Sequence, residues 1–301
     1  TWCLVGSEMC IRDRYGIAQL SLNLTDINVT PVHVAFDEAC DKAQARGIRV
    51  TGSELVGLLP LRVLLDAADH YLRKQQRSLG ISEAEKVKIA VKSLGLDDLA
   101  PFDPAKRVIE YIIAEQGNSP LINMTLTAFA DTTASEAPAP GGGSISAYAG
   151  ALGAALATMV ANLSAHKRGW DNRWEEFSMH AEKGLALQNQ LMALVDADTQ
   201  AFDAIMAAYG MPKGTEDQKA KRHQAIQDAT RNAIDIPMQV AQVAHEGLSL
   251  AAAMASDGNP NSVTDAGVGA MCLRTAVLGA VLNARINCGD LEDADYVAQI
   301  Q

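Results

Sequence analysis

The chain has 301 residues, of which 48% are hydrophobic and 20% are charged, a composition typical of a globular protein of about two domains and not of a disordered or fibrous chain. The net charge of −11 argues against broad nucleic-acid binding, because such binding needs a basic surface to replace phosphate counterions. Five cysteines with no CxxC spacing favour a reducing, cytoplasmic setting without a disulfide framework.

The first fourteen residues, TWCLVGSEMCIRDR, show no apolar period and do not join naturally to the residues after Arg14. This stretch resembles a translated sequencing-adaptor artefact, and the alternative is an irregular N-terminal arm. We favour the artefact, so residues 1–14 are predicted to be non-native. Cys3 and Cys10 therefore receive no functional role.

Two strands are predicted between residues 15 and 117. Residues 17–24 alternate apolar and polar side chains as a half-buried strand does. Residues 48–58 are typical of a second strand that glycines interrupt. Together with three helices, these strands predict a small α+β domain.

The first of the three helices is predicted for residues 30–47, with Thr30 as the N-cap and Pro31 as the first helical residue. The second follows Pro60 and runs to Lys74. The third begins at the capping-box sequence Ser82-Glu83-Ala84-Glu85.

A domain boundary is predicted at residues 116–120, a short polar stretch that ends in a proline. It separates a domain at residues 15–120 from one at residues 121–301. Strand patterns vanish in the second domain, where an Ala-rich sequence with a period of 3.6 predicts a bundle of long helices. These helices are predicted at residues 143–165, 173–209, 216–235, 237–255 and 264–288.

Residues 137–165 carry no charge and are numerous enough to span a bilayer. The stretch opens with prolines and glycines and continues mostly in alanine and glycine, which supply little transfer free energy. We therefore predict a buried, closely packed helix and no membrane association.

Several common catalytic motifs are absent. The sequence has no Walker A pattern, no GxGxxG and no GxSxG nucleophile elbow. Its six histidines are scattered and form no metal-binding spacing, so no metal site is expected.

A glycine-rich segment, Gly141-Gly142-Gly143-Ser144, leads into the first long helix of the second domain. Free backbone N–H groups at a helix start bind anions or allow close approach to a flat ligand. The alternative is a turn whose glycines only let helices meet, and the residues alone do not decide between the two.

Asp198 interrupts the apolar stripe of the next helix. The stripe continues on both sides of it at steps of three and four residues, so Asp198 falls within the buried face, whereas Asp196 lies about 200° around the helix. Burial raises the pKa of a carboxyl group and equips it to hold and pass a proton near neutral pH. The alternative is a structural hydrogen bond to a neighbouring helix.

The last predicted helix carries small and polar residues along one face. Two explanations stay open: contacts to a ligand, for which Asn283 and Asn287 offer paired amides, or a tight helix–helix seam with a polar end. Lys167 either attracts an anionic substrate tail or is an ordinary solvated charge. The residues of the face are Asp265, Gly269, Cys272, Ala276, Gly279, Asn283 and Asn287.

Several ordered motifs resemble the formiminotetrahydrofolate cyclodeaminase family, and the preceding residues resemble the end of glutamate formiminotransferase. In this order they resemble the bifunctional formiminotransferase–cyclodeaminases of histidine breakdown. The cyclodeaminase motifs are APGGGS at 139–144, LVDAD at 194–198 and NARIN at 283–287. The transferase likeness lies in LNLT at 22–25, VTGSELVG at 50–57 and YLRKQ at 71–75.

The resemblance implies an α+β formiminotransferase C-terminal subdomain followed by an all-α helical-bundle cyclodeaminase domain that is truncated at its C-terminus. It implies conversion of 5-formiminotetrahydrofolate to 5,10-methenyltetrahydrofolate and ammonia, with a tetrahydrofolate substrate that carries a polyglutamate tail in some cases and with no metal. A homodimer or higher homo-oligomer is expected.

By matching position, the second Asp of the DAD motif, Asp198, has the catalytic acid/base role in the family. The expected substrate contacts are Gly141, Gly142, Gly143, Ser144, Lys167, Asp196, Asp265, Asn283 and Asn287. The transferase's catalytic His belongs to an N-terminal subdomain that this sequence lacks, so no transferase activity is expected. Two alternatives are kept: a methenyltetrahydrofolate cyclohydrolase, and a catalytically silent folate-binding or dimerising fragment.

Overall fold

The computed structural model describes residues 19–114 and 120–300. The chain divides into two compact units, Thr1–Gly117 and Asn118–Gln301, here called unit 1 and unit 2. Residues 1–14, which are predicted to be non-native, lie outside the described residues. So do the first two residues of the strand predicted at 17–24 and most of the predicted boundary segment.

The described part of unit 1 consists of helices and irregular segments. Its helices are α1 (Val32–Gln44), α2 (Leu61–Lys74), α3 (Glu83–Ser93), α4 (Pro104–Arg107) and α5 (Ile109–Ala114). A hydrophobic core that includes Leu64, Val87 and Leu94 joins α2 to α3. Ser82 caps α3 as predicted, since its hydroxyl oxygen accepts the N–H of Glu85.

The predicted strands are not formed in the described part of unit 1. Residues 19–24 and 48–58 have no ladder partner, and an isolated parallel bridge between Leu59 and Val108 is the one β-type pairing seen there. Alternating side chains predict which face of a strand is buried, but a strand also needs a neighbour to satisfy its backbone N–H and C=O groups. Gly57, with φ of 99°, also turns the second segment away from extended geometry.

Unit 2 is built around four long helices, one fewer than the sequence predicts. Its helices are α6 (Leu126–Thr133), α7 (Gly142–Ala165), α8 (Trp174–Tyr209), α9 (Glu216–Asp257), α10 (Val263–Asn287) and α11 (Ala294–Ile300). α7 packs against α8 and α10, and α9 completes the bundle between α8 and α10. The core is rich in alanine, and Phe177, Leu191 and Leu273 are among its fully buried large side chains.

α9 is one continuous helix, so the predicted break between residues 235 and 237 is wrong. Pro237 lies inside the helix and is buried. A proline in a helix removes one backbone donor, which leaves the carbonyl group four residues earlier without its helical partner. The helix passes through Pro237 because tertiary packing and a side chain from α10, that of Asn287, compensate for the loss.

α7 and α10 pack along a glycine-rich seam. A Cβ atom on Gly153 would come within 2.7 Å of the Gly269 carbonyl oxygen, and one on Gly150 would lie 3.1 Å from the Ala276 side chain. A Cβ atom on Gly279 would likewise overlap the side chain of Ser146. The small-residue face of the last long helix is therefore a helix–helix seam, the second of the two explanations left open by the sequence.

Two helical segments of the described chain are long and apolar enough to cross a membrane, judged by length and composition alone: Gly142–Ala165 and Pro260–Asp290. The apolar window of the first is 61% buried within unit 2, which agrees with the core helix predicted there. The window of the second is only 28% buried, so α10 presents an apolar face to the surroundings.

Candidate active site at one end of the helical bundle

The glycine-rich segment supplies the first turn of α7. Gly141 is the N-cap residue and the helix proper begins at Gly142. N–H groups in the first turn have no partner within a helix and carry the positive end of its dipole. This end of α7 therefore favours a negatively charged group beside it.

That group is the carboxylate of Asp198 on α8. Gly143 approaches so closely that a Cβ atom there would overlap both carboxylate oxygens. Gly143 is buried, whereas a Cβ atom on Gly141 would meet no atom within 4 Å. Glycine is thus required at position 143 for the carboxylate to reach the start of α7.

Ser144 binds the same carboxylate and is fully buried, with 0% of its surface exposed. Its hydroxyl lies 3.1 Å from Oδ2 of Asp198 and 3.0 Å from the carbonyl oxygen of Val195. The Ser144 N–H also donates to Asp198. A residue with no exposed surface does not touch a substrate in this conformation, so the predicted contact role of Ser144 is replaced by a contact to Asp198.

Burial raises the pKa of Asp198 above its ordinary value, and the hydrogen bonds from the Ser144 hydroxyl and N–H oppose that rise only in part. None of the ion pairs in the described part of the chain includes Asp198. A half-buried carboxyl group without a cationic partner takes up a proton more readily than a surface carboxyl group. The site thus holds one group suited to accepting and returning a proton.

α10 adds Asn283 to this site. A Cβ atom on Gly142 would lie 3.0 Å from Nδ2 and 3.2 Å from Oδ1 of Asn283, so the amide rests on the first turn of α7. Asn283 Nδ2 donates to the Gly279 carbonyl oxygen one turn earlier. The structure therefore brings together five of the predicted site residues, which are Gly142, Gly143, Ser144, Asp198 and Asn283.

Asn287, one turn further along α10, faces α9. Its Nδ2 donates to the carbonyl oxygen of Ala233 over 2.9 Å and also lies 3.2 Å from the Asn283 carbonyl oxygen. These bonds occupy the amide protons in contacts within the bundle. The structure thus gives Asn287 a structural contact within the bundle, and its contact to a substrate stays a prediction.

Asp196 is also engaged within the protein. It is only 5% exposed, and its two carboxylate oxygens accept the N–H groups of Leu121 and Ile122 at 2.9 and 3.3 Å. The sequence predicts that Asp196 lies away from the buried face of α8. It is buried nonetheless, because the segment before α6 covers that side of the helix.

Lys167 and Asp265 lie at the opposite end of unit 2. α7 has 24 residues, so Lys167, beyond its C-terminus, is roughly 36 Å along the helix from Gly142. Asp265 and Asn283 are separated by 18 positions of α10, or about 27 Å. The structure therefore does not bring these two predicted contacts to Asp198 within one copy of the chain. Lys167 Nζ instead lies 3.9 Å from the ring centroid of Trp170.

Two residues beside Asp198 are not among the site residues that the sequence predicts. Thr199 Oγ1 lies 3.4 Å from the Ser144 hydroxyl. Phe202, one turn after Asp198 on the same side of α8, leaves 42% of its surface exposed. The available signal is an aromatic residue one turn from a carboxyl group, but the apolar period accounts for Phe202 as a core residue.

Family models match both units. The model described as formiminotransferase-cyclodeaminase matches residues 125–301, which contain the whole of the site above. The model described as the formiminotransferase domain matches residues 10–114. Asp198 and the glycine-rich segment therefore lie within the region assigned to the first model.

Curated relatives carry related names. The formimidoyltransferase-cyclodeaminase of Rattus norvegicus is 38% identical over 278 residues, which make up 92% of this chain and 51% of that protein. The methenyltetrahydrofolate cyclohydrolase of Methylorubrum extorquens is 38% identical over 177 residues, or 59% of this chain and 85% of that protein. The chain thus spans about half the length of the bifunctional relatives that it matches.

A solved structure resembles the chain as well. The crystal structure of formiminotetrahydrofolate cyclodeaminase from Thermotoga maritima matches with a TM-score of 0.53 and 27% identity. The match covers 60% of this chain and 85% of that one.

Proposed function

The chain belongs to the formiminotransferase-cyclodeaminase family, and from this premise we propose that unit 2 converts 5-formiminotetrahydrofolate to 5,10-methenyltetrahydrofolate and ammonia. The observation that carries the proposal is the half-buried carboxyl group of Asp198, held by Gly143 and Ser144 at the start of α7. Ring closure and ammonia loss require one proton to leave one nitrogen and arrive at another. A single carboxyl group of raised pKa serves both steps.

The reaction proceeds through an addition and an elimination. N10 of the folate attacks the carbon of the formimino group, whose nitrogen is protonated; a C–N bond forms, and the C=N bond becomes a single bond to an amine. Asp198 accepts the proton from N10 and delivers it to that amine nitrogen. The C–N bond to the protonated amine then breaks, which releases ammonia and leaves the methenyl cation. Atoms and charge balance without an oxidant or a reductant.

The surroundings of Asp198 suit a flat heterocycle. Phe202 and Met206 follow it by about one and two turns on α8, and both are exposed. The amide of Asn283 and the free N–H groups at Gly142 supply polar contacts at the start of α7. Apolar walls with a few placed polar groups are typical of sites that bind ring-shaped ligands.

The test uses 5-formiminotetrahydrofolate with the full chain, following ammonia release and the absorbance of the methenyl product together. Wild-type protein should form both products in equal amounts. Asp198→Asn should slow turnover by roughly 10² to 10⁴ with little change in folate affinity, because the loss lies in proton transfer. Asp203→Asn, an exposed position on the same helix, is the matched control and should leave turnover unchanged. Undiminished turnover in Asp198→Asn would contradict the mechanism.

A second candidate is the hydrolysis of 5,10-methenyltetrahydrofolate, because the Methylorubrum extorquens relative that bears that name matches over 85% of its length. The two activities separate when each substrate is supplied alone. A cyclohydrolase consumes the methenyl compound and releases no ammonia from the formimino compound. Folate binding without turnover of either substrate would indicate the silent fragment.

We propose that two copies of the chain pair through α7 and α10. Exposed apolar residues line α10 at Met271, Leu278, Leu282 and Ile286, and Ile145, Leu152 and Met159 recur every seven residues on α7. Arg274 lies in the middle of the α10 face, where it would be costly in a bilayer but acceptable at a protein interface.

The oligomeric state tests this pairing. Light scattering should give about twice the chain mass of 31.9 kDa for the wild type. Leu282→Glu should shift the protein towards the monomer, whereas Met179→Glu, at an exposed position on α8, should not. A monomeric wild type would contradict the proposal.

We further propose a cytoplasmic protein that acts on folate without a metal ion. Cys40, Cys272 and Cys288 have free thiols, which is typical of reducing compartments. Among the described residues, no three His, Cys, Asp or Glu side chains are grouped as metal ligands. Metal analysis of active protein, and activity after exhaustive chelation, would test the absence of a metal.

A further inference from the structure

Ser144 occupies an unusual position between two acceptors. Its hydroxyl lies 3.0 Å from the Val195 carbonyl oxygen and 3.1 Å from Asp198 Oδ2, yet it has one proton to donate. The side chain is fully buried, so water does not supply a further partner, and the longer contact of 3.4 Å to Thr199 Oγ1 can be donated by either hydroxyl. One of the two contacts must therefore lack the hydroxyl proton at any moment.

The protonation state of Asp198 decides which contact receives that proton. An ionised carboxylate accepts hydrogen bonds only, so the Ser144 hydroxyl donates to it. A protonated carboxyl group carries its own O–H, which can donate to the Ser144 oxygen. The hydroxyl proton of Ser144 then turns to the Val195 carbonyl oxygen, and every polar atom of the group keeps a partner.

We propose that Ser144 is a positioning residue whose hydroxyl turns between Asp198 and the Val195 carbonyl group, so that Asp198 keeps one orientation with and without its proton. This inference rests on the proposed function, in which Asp198 alternates between those two states. A carboxyl group that stays in place on gaining a proton can return it to a second nitrogen without first moving.

Other charged groups do not take over this role. The pKa of Asp198 reflects burial and the two hydrogen bonds from Ser144. α7 carries no charged residue, and Asp196 on α8 faces the backbone of Leu121 and Ile122. Asp203, five residues after Asp198 on α8, and Arg285, two residues after Asn283 on α10, are the other charged residues close in sequence to the site, and neither contributes to that pKa.

The experiment compares the wild-type chain with the variants Ser144→Ala and Ser144→Cys. Ser146→Ala is the matched control, because Ser146 lies on the same helix, is also buried and bonds to the Gly142 carbonyl oxygen without touching Asp198. Turnover per folded molecule is measured against pH, and the titration of the Asp198 carboxyl carbon is followed by NMR.

In Ser144→Ala, kcat should fall by about tenfold while KM changes less than about twofold, because one hydrogen bond to a charged group is lost. The acidic limb of the pH profile and the NMR midpoint of Asp198 should both move up by about one pH unit, since the lost bond favours the ionised form. Ser144→Cys keeps the side-chain volume but is a weak hydrogen-bond donor, so its kcat and its pH midpoints should lie between those of Ser144→Ala and the wild type. Ser146→Ala should match the wild type in both pH measurements.

Superimposable pH profiles and NMR midpoints for wild type and Ser144→Ala would overturn the proposal. So would wild-type behaviour of Ser144→Cys beside a defective Ser144→Ala, since that pattern would show that volume alone matters. A wild type that releases no ammonia overturns the proposed function instead. The NMR midpoints then still report whether the Ser144 hydroxyl holds the carboxyl group.

Discussion

The side-chain amide of Asn287 donates to the carbonyl oxygen of Ala233 over 2.9 Å, and that carbonyl group is the one that Pro237 leaves without its helical N–H donor. A residue of α10 thus replaces a backbone hydrogen bond of α9. The relationship explains how a 42-residue helix runs through a buried proline.

A double-mutant cycle tests this relationship. Asn287→Ala should lower the free energy of unfolding by about 1–2 kcal/mol, because it leaves a buried carbonyl group unpaired. In a Pro237→Ala background the same change should cost less, since residue 237 then donates its own N–H to Ala233. Urea unfolding of the four proteins gives both values. Equal costs in the two backgrounds would show that Asn287 does not compensate for Pro237.

Asp196→Asn should destabilise the protein without impairing the chemistry. Both carboxylate oxygens accept backbone N–H groups, and an amide presents an NH₂ group to one of them, so the expected cost is about 1–3 kcal/mol in the free energy of unfolding. Turnover per folded molecule should stay at the wild-type level. Melting curves recorded beside activity measurements separate the two effects. A loss of turnover at wild-type stability would place Asp196 at the substrate.

Gly143→Ala should abolish most of the activity, whereas Gly141→Ala should be nearly neutral. An added Cβ atom at position 143 would overlap the Asp198 carboxylate, which must then turn away from α7, but at position 141 it meets no atom within 4 Å. The expected loss for Gly143→Ala is on the order of 10²-fold or more in kcat, by displacement of the acid/base group. Steady-state kinetics of the pair is the measurement. Similar rates for the two variants would mean that Asp198 tolerates displacement.

Asp198→Asn should stabilise the protein at neutral pH. The pKa of Asp198 is raised from 3.8 by burial, so the folded state holds the proton more tightly than the unfolded state does. The stabilisation that protonation provides is complete below pH 3.8 and is lost as the pH rises through the raised value. The free energy of unfolding of the wild type should therefore equal that of the variant in acid and fall below it towards neutral pH.

Urea unfolding of both proteins across that pH range is the measurement. A variant that is less stable than the wild type at neutral pH would contradict the expected sign. The same data test whether the catalytic group reduces the stability of the fold that holds it.

The features that the sequence predicts correctly depend on residues that are close to one another in the chain. Periodicity locates α7, α8 and α10 to within a residue or two. The family motifs name both Gly143 and Asp198, which lie side by side in the structure. The errors concern partners that are distant in the chain. Pro237 indicates a helix break until Asn287 is placed beside it, and alternating residues at 48–58 predict a strand whose neighbour is not formed in the described residues.

Lys167 and Asp265 show the same limit. Lys167 is a candidate because of its charge and Asp265 because of its place on a helix face, but their distance from Asp198 follows from the lengths of α7 and α10 and from the antiparallel packing of those helices. The helical period of α8 predicts an outward-facing Asp196. The prediction fails because residues 120–123 cover Asp196, and this segment has no helical period from which its position could be predicted.

The glycine seam between α7 and α10 fixes the relative position of the two helices at the candidate site. Because backbones meet at Gly153 and Gly269, one helix cannot slide along the other without driving a larger side chain into a backbone. The seam thereby fixes how far Asn283 reaches over Gly142. The width of the site is set within the bundle and not by the loops around it, so the loops can change in length while the spacing of the reacting groups is kept.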